Sequence, residues 1–123
     1  MVKKDICERT FIFAVAIIKI CQAIDKSQNV ERLLSRQLFR AGTSIGANVE
    51  EVQAGQSKAD FISKLSIARK EARETRYWHS LCKNVNIGMP RDIDVLLKEI
   101  NELIAILTAI IKNTKSNQSS YCQ

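Results

Sequence analysis

The stretch RAGTSIGANVEEVQAGQSKADF, Arg40 to Phe61, decides the fold. It reads as the end of one amphipathic helix, a break at Gly55, and the start of another. Stepping by four and three from Leu34 gives Leu34, Leu38, Ala41, Ile45, Asn48 and Val52, a core seam with one polar member. From Phe61 the same stepping gives Phe61, Leu65, Ala68, Ala72, Thr75, His79 and Cys82, apolar at first and then smaller and more polar. A flanking seam, Ile67, Glu71, Glu74, Trp78, Leu81 and Val85, sets two carboxylates between apolar residues. An unpaired buried charge costs several kcal/mol. Glu71 and Glu74 are therefore expected to meet polar groups of the preceding helix, with Arg40, Ser44 and Asn48 as partners.

The rest of the chain extends this helical pattern in both directions. A first helix is predicted from about Lys4 to Lys26. Ile6, Phe13, Ile17, Ile20 and Ile24 form one stripe on it, and Cys7, Phe11, Ala14, Ile18 and Cys21 form the next. Two adjacent stripes imply contact with two neighbours. A second helix is predicted from about Val30 to Ala54, with Gly42 and Gly46 one turn apart inside it. Each glycine costs about 1 kcal/mol against alanine in a helix interior, which implies close approach of a neighbouring helix or a bend. Gly55 is placed to end the helix in a left-handed conformation.

A third helix is expected from Ser57, its N-cap, to about Asn84, with Asp60 favouring the N-terminus and pairing with Lys64. The run NIGMP, Asn86 to Pro90, is the clearest turn. A fourth helix is predicted from about Arg91 to Lys112 on the seam Ile93, Leu96, Ile100, Leu103, Leu107 and Ile110. No strand pattern, repeat or second domain is present. The prediction is all-α: an antiparallel up-down-up-down four-helix bundle over residues 1–115, with 116–123 as a disordered polar tail.

The chain has 123 residues, enough for one domain with a real core. Its four cysteines, Cys7, Cys21, Cys82 and Cys122, show neither a C-x-x-C pair nor metal-ligand spacing. They read as small core hydrophobes and a tail thiol in a reducing compartment. The opening segment carries an apolar run, Phe11 to Ile18, behind two lysines. Asp5, Glu8 and Arg9 interrupt its approach, Lys19 ends it, and it is too short to span a membrane. The expectation is a core helix of a soluble, cytoplasmic protein with no membrane association.

The net charge of +6 is uneven. Residues 57–86 hold seven Lys or Arg against three Asp or Glu, a net +4, whereas residues 29–56 hold three of each and are neutral. A basic helix points to an acidic partner such as nucleic acid, and it is equally the composition of a solvated helix face. Tyr77 and Trp78 lie among Arg73, Arg76, His79 and Lys83. Aromatics between cations can stack bases, or they can anchor a subunit interface.

Catalytic chemistry finds no support. His79 is the only histidine, so no Glu-x-x-His pair exists for a di-iron bundle. No serine or cysteine sits in the context of an activated nucleophile. Glu50, Glu51, Glu71 and Glu74 could ligate a metal only without histidine help, and a structural network is the better reading. No catalytic residue, metal or cofactor is expected.

The run SRQLFRAGTSIGANVEEVQAGQSKADFISKLSIARKEARETRYWHSL, with ELIAILTAIIKNTK further on, resembles the bacterial four-helix-bundle proteins first associated with intervening sequences in 23S ribosomal RNA. The resemblance covers roughly residues 8–115. The matching motif positions are Arg40, Ser44, Ile45, Asn48, Glu50, Glu51, Lys70, Glu71, Glu74, Tyr77 and Trp78. It implies an antiparallel four-helix bundle, a ring-like homopentamer, and no enzymatic activity. Such proteins are similar to the accessory protein of diversity-generating retroelements, which binds nucleic acid and a reverse transcriptase through a basic surface. Residues and resemblance together suggest a homo-oligomer that binds structured RNA or DNA through basic residues of the third helix and the termini, with Lys58, Lys64, Arg69, Arg73, Arg76 and Lys83 as candidate contacts. The alternative is a protein-protein scaffold, with a reverse transcriptase or another protein as partner and no nucleic acid.

Overall fold

The computed structural model describes residues 4–24, 26–52 and 57–116. Four helices follow in order: α1 (Lys4–Ala23), α2 (Asn29–Glu50), α3 (Lys58–Asn84) and α4 (Pro90–Ser116). Contacts between them give their directions. On α1 and α2, Thr10 lies against Gly46, Ile17 against Gly42, and the Cys21 thiol donates to the Ser35 carbonyl at 3.5 Å. Arg40 of α2 reaches Glu71 and Glu74 of α3, while Glu51 just beyond α2 meets Lys64. Lys83 and Arg76 of α3 reach Asp94 and Asn101 of α4, and Arg9 of α1 reaches Glu99 and Glu102 of α4. In each of the three successive pairs one number falls as the other rises, so consecutive helices run antiparallel and the four form an up-down-up-down bundle. The α1–α4 seam is the sparsest of the four.

The third-helix seam is buried at all seven expected positions, Phe61 to Cys82. On α4 the core runs Ile93, Leu96, Ile100, Leu103, Leu107, Ile111 and Thr114. The last two carry the helix one turn beyond Lys112, to Ser116. On α2 the core includes Ser35, Gly42, Gly46 and Val49, whereas Leu34, Asn48 and Val52 of the expected seam are only half-buried. The stripe is rotated toward α1 because the two glycines admit that helix. A Cβ on Gly42 would stand 2.8 Å from Ile17 Cγ1, and one on Gly46 would stand 3.2 Å from the Thr10 carbonyl oxygen. Ile17 is fully buried and has nowhere to retreat. Gly42→Ala should therefore lower stability by about 1–2 kcal/mol in urea titrations, because overpacking outweighs the gain in helix propensity.

The helix ends follow from local chemistry. α1 stops at Ala23 rather than Lys26, since the Lys26 ammonium folds back onto the Cys21 and Ile24 carbonyls. Ser57 caps α3 by accepting from the Asp60 N–H at 3.1 Å. The end of α3 is a Schellman motif: Asn86 N–H donates to Lys83 O and Ile87 N–H to Cys82 O. Asn86 takes φ 60° and Gly88 φ 84°. Pro90 then opens α4, where its missing N–H is harmless. The expected cap at Gly55 and the tail from residue 117 lie outside the described residues.

The first helix departs most from expectation. Its stripe Ile6, Phe13, Ile17, Ile20 and Ile24 is buried. The second stripe is mixed: Phe11, 64% exposed, and Ile18 are open, Cys7 and Ala14 are half-buried, and Cys21 is buried, while the neighbouring Ile12 is 59% exposed. Among the described residues no helix is long and apolar enough to cross a membrane.

Candidate nucleic-acid interface

The six basic residues singled out on α3 do not share one face. Lys64 lies on the α2 side, 3.9 Å from Glu51. Lys58 is half-buried in the first turn. Arg69, Arg73, Arg76 and Lys83 recur at spacings of three, four and seven, which puts them on the flank toward α4. The α4 residues opposite divide this flank in two. Toward the α3–α4 turn, Lys83 pairs with Asp94 at 2.9 Å, and Arg76 donates to the Asn101 side chain at 3.0 Å. Toward the other end, Arg69 shares a groove of about 500 Å³ with Thr108, Ile111, Lys112, Lys115 and Ser116. Arg73 is exposed one turn along from Arg69. The sequence has no Asp or Glu after Glu102. This half of the seam therefore carries Arg69, Arg73, Lys112 and Lys115 with no ion pair among the described residues.

Lys112 and Lys115 belong to the basic C-terminal segment expected to contribute, but neither is among the six contacts named on the third helix, because the sequence predicts a fourth helix that ends at Lys112. The signal lay in the continuing spacing Leu107, Ile111, Thr114, which adds one more helical turn. Thr114 is buried, and its hydroxyl donates to the Ile110 carbonyl at 2.8 Å. That turn brings Lys115 alongside Lys112, facing α3.

The polar network forms only in part. Arg40 bonds Glu71 at 3.4 Å and also Glu74, and the Trp78 indole N–H donates to Glu74 at 3.1 Å. Glu71 is 16% exposed. Ser44 and Asn48 turn back instead: the Ser44 hydroxyl donates to the Arg40 carbonyl and the Asn48 amide to the Ser44 carbonyl. Short polar side chains in a helix reach their own backbone one turn back more readily than a neighbouring helix. Glu74→Ala should cost about 1–2 kcal/mol in urea melts, since it strips partners from Arg40 and Trp78. Asn48→Ala should cost less than about 1 kcal/mol, because it removes a single local bond.

The aromatic pair does not join the basic flank. Trp78 turns toward α2, while Tyr77 stays exposed and meets it edge-on at 5.2 Å. His79 points into the core, 1% exposed, and neither ring nitrogen has a hydrogen-bond partner among the described residues. Burial pushes its pKa down to about 4. Burial also raises the Cys21 and Cys82 thiols, Cys82 to about 11 with Cys21 adding to the effect, so both remain protonated at neutral pH. Among the described residues no three His, Cys, Asp or Glu side chains converge on a metal-sized site.

The sequence pattern of the 23S rRNA-intervening sequence protein family matches residues 3–109. The chain belongs to that family. A crystal structure of a protein of unknown function from the S23 ribosomal protein family of Bacteroides thetaiotaomicron VPI-5482 superposes with a TM-score of 0.79 at 36% identity. The match covers 87% of this chain and 98% of that one. No curated protein matches the chain. In this member of the intervening-sequence family the groove of Arg69, Lys112 and Lys115 lies on the α3–α4 seam, and the glycine-closed seam joins α1 to α2.

Proposed function

We propose that the protein is a non-enzymatic, cytoplasmic homo-oligomer, in keeping with the pentamer that the resemblance implies, and that it binds structured RNA or DNA along the α3–α4 seam. One observation carries the nucleic-acid reading: four cations, Arg69, Arg73, Lys112 and Lys115, lie along one half of a seam with no ion pair to any of them among the described residues. Such an array neutralises successive phosphates and releases their counterions. The test is a salt titration of binding to a labelled RNA hairpin and a DNA duplex. Log affinity should fall linearly with log salt, with a slope of about −3 to −4 for four phosphate contacts. A salt-independent affinity, or no binding at low salt, would sink the reading.

Self-association is supported by α1, which is apolar on its outward side as well as its core side. Phe11, Ile12 and Val15 stand open to solvent there. A second apolar patch lies elsewhere: by the register set at Arg40 and Glu74, Val30 and Leu33 of α2 lie opposite Leu81 and Val85 of α3. Two unlike patches suit a head-to-tail contact, the kind that builds a ring when the rotation between neighbours closes. Phe11→Asp with Val15→Asp should convert the assembly to monomers in light scattering, with helical content retained. The same apolar surfaces favour the second reading, a scaffold for another protein such as a reverse transcriptase. In that case wild-type protein would ignore polyanions in the titration above.

A further inference from the structure

On the opposite flank of the bundle from the basic groove, the α1–α2 corner holds a cavity of about 530 Å³. That is within the usual range for small-ligand sites. Its lining combines two kinds of surface. Lys26, Arg32 and Arg36 contribute three cations, and no described carboxylate lines it. Ile18 and Phe39 contribute an apolar wall, with Phe39 46% exposed.

Two of the three cations are held in place by the fold. Lys26 sits on the Cys21 and Ile24 carbonyls that end α1. Arg32 donates to the Lys26 carbonyl at 3.3 Å and to the Asn29 side chain. A guanidinium has five N–H donors, so Arg32 keeps donors to spare after these bonds. Arg36, one turn further, is exposed and has no partner among the described residues. Between the charges and the apolar wall lie the Ser35 hydroxyl and the Gln22 amide, both able to donate and to accept.

We propose that this cavity binds a nucleotide unit, with its phosphate on Arg36 and Arg32 and its base against Phe39 and Ile18. Guanidinium groups match phosphate oxygens in pairs, and an aromatic face accepts any base by stacking. A simple anion would use only the charged half of the site, and a neutral apolar ligand only the other. The unit can be a free mononucleotide or an unpaired nucleotide of a strand, since both present the same chemistry. The site is separate from the α3–α4 groove and does not depend on duplex or hairpin binding there.

The test is equilibrium dialysis of the assembled protein against AMP, adenosine, inorganic phosphate and a single-stranded hexanucleotide. AMP should bind saturably and more tightly than either adenosine or phosphate. Arg36→Glu and Phe39→Ala should each weaken it about tenfold or more, the first through loss of a phosphate contact and the second through loss of one stacked base. Arg69→Glu, in the other groove, should leave it unchanged. Both cavity residues are exposed, so thermal melts should confirm that the variants fold. Binding of the hexanucleotide alone, lost in both variants, assigns the site to an unpaired strand. No saturable binding of either probe, binding that survives both substitutions, or phosphate binding as tight as AMP would overturn the proposal.

Discussion

Reversing Arg69 and Lys112 together, as Arg69→Glu with Lys112→Glu, should lower affinity for an RNA hairpin about a hundredfold or more at roughly 0.1 M salt. Each phosphate contact is worth about one decade there, and reversal adds repulsion to the lost contact. The salt slope should become shallower by about two. Lys83→Glu and Lys64→Glu serve as comparisons. Lys83 already faces Asp94 at 2.9 Å and Lys64 faces Glu51 at 3.9 Å, so each change removes a charge that the protein itself offsets. Their effects should stay within about tenfold, the size of one phosphate contact. If all three substitutions weakened binding equally, the basic groove would have no special role and the charge would act through the whole surface.

Acidification should destabilise the bundle by about 3 kcal/mol through His79 alone. Its pKa in the folded chain is about 4, against 6.5 unfolded, and burial is the only cause. Above pH 6.5 the imidazole is neutral in both states and contributes no pH dependence. Between pH 6.5 and about 4 the unfolded chain takes up the proton and the folded chain does not, so stability falls as pH falls. Below about 4 both states are protonated and this contribution levels off. His79→Leu has similar volume and leaves no orphaned ring nitrogen. It should stabilise the protein at pH 7 by about 1–2 kcal/mol and flatten the acid limb. Denaturant midpoints at pH 7, 5.5 and 4.5 would show it. A variant with the same acid limb as wild type would place the titrating group elsewhere.

Much of this molecule is legible in residue spacing. The seven buried positions of α3, from Phe61 to Cys82, follow from steps of three and four. So does the core of α4 up to Leu107. Period alone is enough there because each helix buries one continuous stripe, and the stripe's angle is a property of the chain. Ser57 as N-cap and the turn at Asn86 to Pro90 are equally local, since they depend on a hydroxyl or a glycine a few residues away.

The candidate site was less legible. Arg69, Arg73, Arg76 and Lys83 are plain in the sequence as a basic flank, but their meaning depends on α4. Asp94 and Asn101 answer two of them across the seam, while Lys112 and Lys115 reinforce the other two. Charges on different helices, from Lys83 and Asp94 to Arg69 and Lys115, become neighbours only when the helices pack, and antiparallel pairing decides which sign meets which. Ser44 and Asn48 failed as network members for the complementary reason. Their own backbone competed successfully for them, and only the distance to α3 could settle that.

By itself, then, the sequence determined the number of helices, the core faces of α3 and most of α4, and the Ser57 cap, because these rest on contacts within about seven residues. Tertiary structure alone decided which cations stay uncompensated, that Gly42 and Gly46 draw α1 close, and that Phe11 and Ile12 remain open. Each of those depends on what stands across a seam, and a seam brings together residues that the chain keeps far apart.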